Sequence, residues 1–192
     1  MKKFIICGLV ILFPILCNGQ HYLYLGFMNS AIKVEKEIAF DCYGGNGGWG
    51  YDYLFNRYVG ITLQSGIAAL AYKNANINSY KTEINATILL DFSPKIHFEL
   101  PLSPSGNHRL FSNIGTKFLL DFKTPDESIK GIDVMFSTEI GYSSNYVFVK
   151  LGSDNGLLNL CNYQYNNLAV YNIKRNNILL TLGFYLSYRN NQ

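Results

Sequence analysis

Residues 131–144 read GIDVMFSTEIGYSS, and the spacing of their side chains decides the fold. Ile132, Val134, Phe136, Thr138, Ile140 and Tyr142 fall at every second position, with Asp133, Met135, Ser137, Glu139 and Gly141 between them. Successive side chains of a β-strand point to opposite faces, so this period of two predicts a strand with one apolar and one polar face.

The pattern recurs in both directions along the chain. In GGWGYDYLF (47–55), Trp49, Tyr51, Tyr53 and Phe55 oppose Gly48, Gly50 and Asp52. Val59, Ile61, Leu63 and Ile67 oppose Gly60, Thr62, Gln64 and Gly66. Leu110, Ile114, Phe118, Leu120 and Phe122 oppose Asn113, Gly115, Lys117 and Asp121. Near the end of the chain, Ile178, Leu180, Leu182, Phe184, Leu186 and Tyr188 share a face. Between 80 and 102, Ile84, Ile88, Leu90 and Phe92 stay in phase with Ile96, Phe98, Leu100 and Leu102 across Ser93-Pro94. One long strand is therefore predicted, with Pro94 where the hydrogen-bonded ladder is interrupted or beyond the membrane edge.

Eight strands follow, at 22–28, 44–55, 58–72, 80–102, 109–122, 131–143, 146–153 and 177–189. Their connections alternate between tight turns and the mostly longer segments 29–43, 73–79, 123–130 and 154–176. Short turns at one end and long loops at the other are the plan of an outer-membrane barrel. Charge placement separates that plan from a soluble barrel or sandwich. The polar face carries Asp52, Lys95, His97, Glu99, Lys117, Asp121, Asp133, Glu139, Lys150 and Arg189, and the apolar face carries no ionisable side chain. A charge facing lipid at mid-depth costs roughly 2–4 kcal/mol. A soluble ligand-binding barrel would invert the pattern, and a sandwich would need more Lys and Glu on its solvent face. The expected fold is an all-β, eight-stranded antiparallel up-and-down transmembrane barrel. An interior of that width is filled by side chains. Its near-balanced charges predict an interior network of pairs, not an ion-selective pore.

The N-terminus, MKKFIICGLVILFPILCNGQ, has two lysines, an apolar run from Phe4 to Cys17 and small Gly19 before Gln20. That order predicts a secretory signal peptide over 1–19 and a barrel domain over 20–192. The run is shorter than the roughly 20 residues a spanning helix needs. Lipidation at Cys17 is the lesser reading, because Pro14, Ile15 and Leu16 offer no small residue before it. Removing Lys2 and Lys3 from the 16 basic residues leaves 14 against 13 acidic ones. Near neutrality gives no electrostatic reason to expect a nucleic-acid partner.

YDYLFNRYVGITLQSGIAA (51–69), FELPLS (98–103) and NGLLNL (155–160) follow one another in the order of motifs in the PorT-type outer-membrane barrel family of Bacteroidota, which the chain resembles over essentially its whole mature length. Leu100-Pro101 stands where that family usually has Ile-Pro, and 154–176 matches no motif of it. The resemblance implies an eight-stranded barrel in the outer membrane of a Gram-negative bacterium. A few members are associated with secretion and most have no assigned activity.

The expected function is structural or interactive, in secretion or adhesion, without catalysis. The partners expected are outer-membrane lipid, the barrel-insertion machinery, and secretion components or an extracellular ligand met by loops 29–43 and 154–176. The enzymatic alternative is a lipid hydrolase or acyltransferase using His97, oriented by Glu99, with Ser137, Ser143 or Ser187 as nucleophile. No spacing singles out one serine, and the plainer reading puts His97 and Glu99 in the interior network. No cofactor is expected. His21 and His108 show no second ligand, so a metal site is unsupported. Cys42 and Cys161 fall in the 1–2 and 7–8 loops, which barrel closure makes neighbours, so a disulfide between them and two separate thiols are both open. Tyr22, Trp49, Tyr58, Tyr142, Tyr146 and Tyr188 are expected in interfacial girdles. Thr181, Gly183, Leu186 and Tyr188 resemble a C-terminal insertion signal, followed by the short tail 189–192.

Overall fold

A computed structural model describes residues 19–34, 37–73, 84–121, 132–158, 162–164 and 170–186. The strands are β1 (Gln20–Val34), β2 (Glu37–Leu54), β3 (Val59–Lys73), β4 (Ile84–Pro101), β5 (Arg109–Asp121), β6 (Ile132–Ser143), β7 (Val147–Gly156), β8 (Asn162–Gln164) and β9 (Val170–Tyr185). Each of β1 to β6 pairs with the next, β7 pairs with β9, and β9 pairs with β1, all antiparallel. Eight strands thus close an up-and-down barrel, and the three-residue β8 is added to the far end of β9.

The register fixes the barrel's shape. Followed across the strands, Gln20 pairs with Asp52, then in turn Thr62, Lys95, Gly115, Ser137, Asp154, Asn177 and finally Ser30. One circuit therefore climbs from Gln20 to Ser30, ten residues along β1. With strands ~4.8 Å apart and ~3.3 Å per residue, that stagger sets a tilt of roughly 40° and a radius of roughly 8 Å. Such a lumen holds side chains and little else.

Local chemistry sets the turn end. Asn56 Oδ1 accepts the backbone N–H groups of Tyr58 and Val59 at 2.8 and 2.9 Å, which folds 55–58 back on itself. In the β4–β5 turn, Gly106 sits at φ 65°, a left-handed conformation that disfavours a side chain. The predicted phase across Pro94 holds. β4 is one strand, and β3 pairs with it continuously. Its ladder to β5 passes from Phe92–Phe118 to Lys95–Gly115 without change of register, skipping Ser93 and Pro94. Proline has no N–H to offer there. The Ser93 hydroxyl donates instead to the Thr116 carbonyl, at 3.0 Å.

The strand limits differ from the sequence expectation mainly at the loop end. Segment 29–43 is not a loop: β1 runs on to Val34 and β2 begins at Glu37. Segment 154–176 likewise holds the end of β7, all of β8 and the start of β9. Above the apolar band the alternation loses its contrast, but the backbone ladder needs no contrast to continue.

Outside, Leu25, Ile67, Ile96, Ile140, Leu182 and Phe184 are exposed, with other apolar residues between them. Trp49, Tyr58, Tyr142 and Tyr146 are exposed, as girdle positions require, while Tyr51 on the same face is covered by Gly19 and His21. Tyr22 corrects the girdle expectation: it is 2% exposed and points inward. Its ring lies over Gly50, its cross-strand partner, as Phe111 lies over Gly141 and Phe148 over Gly183. A missing Cβ on one strand makes room for a ring from the next. With Tyr24 and Tyr185, these rings fill the turn end of the interior. Nearer the loop end, Met28, Cys42, Ala68, Leu70, Leu89, Leu119, Met135 and Leu179 form a second apolar layer. The charged residues lie largely between the two.

Candidate functional site in the barrel interior

Lys95, His97 and Glu99 alternate along β4, Lys117 stands on β5, Asp133 and Glu139 on β6, Lys150 on β7 and Asp52 on β2, all buried inside. The structure adds four charges absent from the sequence assignment, Asp91, Arg109, Asp154 and Arg175. Asp91 and Arg109 lie in phase with the interior positions of their strands, and that phase was the signal that could have found them. Asp154 and Arg175 lie beyond the strand ends assigned from apolar content. Asp121 closes β5 opposite Leu89, but its side chain lies outside the described set. Ser187, Tyr188, Arg189 and Cys161 also lie outside the described residues. Cys42 is corrected from a loop to an interior position of β2 within the upper apolar layer.

The described interior acids number six (Asp52, Asp91, Glu99, Asp133, Glu139, Asp154), against five Lys and Arg (Lys95, Arg109, Lys117, Lys150, Arg175) and His97. Burial of unpaired charge is costly, and most of these side chains are linked. Glu139 is the hub. Its Oε1 accepts Lys95 Nζ at 2.7 Å and Lys150 Nζ at 2.9 Å, and its Oε2 accepts Asn113 Nδ2 at 2.8 Å. Lys95 also donates to Gln64 Oε1 at 2.9 Å, and Gln64 donates to the Tyr22 hydroxyl at 2.8 Å. Tyr22 meets Thr62, whose hydroxyl donates to Asp52. On the other side of the hub, Asn113 Oδ1 lies 2.7 Å from His97 Nδ1, and His97 Nε2 lies 3.1 Å from Glu99 Oε2. Glu99 Oε1 then accepts Arg109 Nε at 2.9 Å. One continuous chain of polar contacts crosses the lumen from Asp52 to Arg109.

A second group sits nearer the loop end. Lys117 Nζ lies 3.1 Å from Asp154 Oδ2 and 3.9 Å from Asp91 Oδ2. Ser137 donates to Asp154 Oδ1 at 2.7 Å, and the Tyr24 hydroxyl donates to Asp91 at 3.3 Å. Asp133 and Arg175 belong to neither group.

The arrangement bears on catalysis. With Nδ2 of Asn113 donating to Glu139, its Oδ1 can only accept from His97, and the other ring nitrogen faces a carboxylate. Both nitrogens of His97 therefore donate, and neither is open to take a proton from a serine. Ser137 is committed to Asp154. Among the described residues, no group of three or more His, Cys, Asp or Glu could hold a metal ion. The interior can brace the wall from within. Among the described residues, the paired charges lie largely between the two apolar layers.

No protein-family model and no curated protein matches the sequence. Solved structures of similar shape include OprG, an outer membrane protein from Pseudomonas aeruginosa, at 12% identity and a TM-score of 0.49, over 88% of this chain and 96% of that one. Ail, the attachment invasion locus protein of Yersinia pestis, is 12% identical with a TM-score of 0.45, over 88% and 99% of the two chains. Neisserial surface protein A is 12% identical with a TM-score of 0.46, over 85% and 96%. At such identities the likeness is one of fold.

Proposed function

We propose that this chain is an outer-membrane β-barrel protein of a Gram-negative bacterium, exported by a signal peptide over 1–19 and placed in the lipid by the barrel-insertion machinery. One observation carries the reading. Around the described barrel, the outward positions hold no Asp, Glu, Lys or Arg between the turn rim and Lys174 near the loop end of β9. On β4 this apolar face extends from Ile88 to Leu100, a height of roughly 30 Å at this tilt, which is the thickness of a bilayer's hydrocarbon core. The charges are inside and the greasy residues outside, the reverse of a soluble ligand-binding barrel. The motifs resembling the PorT-type family of Bacteroidota favour the same location.

The role is structural or interactive, without catalysis. The donor-only state of His97 argues against the hydrolase or acyltransferase alternative. Secretion components or an extracellular ligand would be met at the loop end, where 29–43 and 154–176 rise in part as paired strand. Thr181, Gly183, Leu186 and Tyr188 serve as the signal read during insertion. Fractionation of the expressed protein tests the reading, together with its gel mobility before and after heating. Recovery with the outer membrane and heat-modifiable mobility are expected. A soluble periplasmic pool would overturn it.

A further inference from the structure

The outer wall is not apolar all the way round. At the loop end of β4, β5 and β6 the outward positions are Ile88, Leu120 and Ile132, all exposed. Across β7, β9 and β1 the outward positions at that end turn polar, with Ser153, Asn155, Asn176 and Asn29. Asn155 is exposed and the other three are half-buried. The four are contiguous. Asn155 and Asn176 are cross-strand partners, and Ser153 and Asn29 are the partners of Ile178 on either side. The Asn155 amide donates to Ser153 Oγ at 3.5 Å, whereas the side chains of Asn29 and Asn176 make no hydrogen bond among the described residues. Two residues above Asn176, Lys174 is exposed and makes no ion pair among the described residues. Its partner in the ladder is another lysine, Lys33.

Depth gives this patch its meaning. Measured up β9 from Leu186 at the turn rim, Leu180 stands at ~15 Å, Ile178 at ~20 Å, Asn176 at ~25 Å and Lys174 at ~30 Å, for ~3.3 Å per residue and a tilt of roughly 40°. Lys174 is thus at the edge of a hydrocarbon core roughly 30 Å thick, with the amides just inside it. Hydrocarbon cannot satisfy an amide, and like charges opposed in a ladder are destabilising. The vertical order of cation, amides and apolar residues matches that of one amphiphile, with anionic headgroup, polar linkage and acyl chains. Asparagine both donates and accepts, so the complementary linkage carries N–H or O–H groups, where an ester only accepts. A second copy of the chain fits less well, because a two-fold contact through the patch brings its lysines together. We infer that the β7–β9–β1 wall seats one phosphorylated outer-leaflet lipid whose acyl chains bear amide and hydroxyl groups beneath the headgroup, as those of lipopolysaccharide do. Its phosphate faces Lys174, its amide and hydroxyl groups face Asn155, Asn176 and Asn29, and an acyl chain lies on Ile178 and Leu180. This inference rests on the outer-membrane reading and names the lipid that the wall selects.

The test uses the whole mature barrel, folded in detergent micelles and shown to be heat-modifiable, with bound lipid counted by native mass spectrometry. The probes are diphosphoryl lipid A and, as an anionic lipid with ester linkages only, phosphatidylglycerol. Retention of one lipid A per barrel is expected, with phosphatidylglycerol weaker by on the order of tenfold or more. That comparison needs no variant to fold. Lys174→Gln and the double variant Asn155→Leu/Asn176→Leu add no outward charge, and each folded variant is expected to weaken lipid A by a similar factor. Four results would overturn the inference. They are no lipid A on the folded barrel, phosphatidylglycerol held as tightly as lipid A, undiminished retention in both variants, and a barrel dimer that the asparagine double variant dissolves. The second would leave Lys174 a general anionic contact, and the fourth would make a second copy the occupant. A chain recovered as a soluble periplasmic protein would instead sink the outer-membrane reading itself, so the two failures are distinct.

Discussion

Replacing Leu180 by arginine isolates the claim that the outer face meets lipid. Leu180 is 49% exposed on β9 and stands opposite Phe27 of β1 and Leu151 of β7, so its outward neighbours are apolar on both sides. It lies six residues along β9 from Leu186 at the turn rim, about 15 Å in depth at ~3.3 Å per residue and a tilt of roughly 40°. That is the middle of a band roughly 30 Å tall. An arginine there is expected to cost about 2–4 kcal/mol, equivalent to about 30- to 800-fold in the folding equilibrium. Tyr146→Arg, at the turn rim, is expected to cost about 0–1 kcal/mol. The assay is reversible urea unfolding in phosphatidylcholine vesicles, followed by the fluorescence of Trp49, the one tryptophan of the chain. The depth dependence is the critical reading, because an arginine on a water-facing strand costs little at any height. Equal stabilities for Leu180→Arg and Tyr146→Arg, both within ~0.5 kcal/mol of the parent, would refute the lipid-facing assignment.

Two further substitutions probe the interior by the same assay. Glu139→Gln removes the charge that holds both Lys95 and Lys150 and is expected to cost about 3–5 kcal/mol, because two buried ammonium groups lose their counter-ion. Exchanging Lys95, Glu139 and Lys150 together for methionine should recover part of that loss. A triple variant weaker than Glu139→Gln would show that the network stabilises by more than mutual neutralisation. Gly183→Ala places a methyl group where the Phe148 ring lies and is expected to cost about 1–3 kcal/mol. Gly45→Ala, at an outward position with only the Gly26 carbonyl near, is the control, and equal losses at the two sites would dismiss the ring-over-glycine packing.

The fold was legible because lipid on one side and a filled lumen on the other impose opposite chemistry on alternate residues. Where both faces are apolar the signal fails. In HYLYLGFM (21–28), tyrosines alternate with leucines, and nothing in the spacing says that Tyr22 and Tyr24 turn inward while Leu23 and Leu25 turn out. That choice is made by glycines on other strands, Gly50 beneath Tyr22 above all. Where both faces are polar the signal fails again, so the upper ends of β1, β2 and β9 read as loop although the ladder continues through them.

The ion pairs were illegible for a different reason. Lys95 and Glu139 meet across the intervening β5, and whether two residues that far apart in the chain reach one height depends on the stagger accumulated between their strands. Moving β5 by two residues would keep every side chain on its proper face and separate Glu139 from Lys95. Alternation specifies which residues enter the lumen, and register alone decides which of them touch. The inward charges supply part of that register in return, since a slipped strand would leave buried charges unpaired at several kcal/mol each. The interior network is on this account a device for specifying register in a wall whose outer face, uniformly apolar, cannot distinguish one two-residue slip from the next.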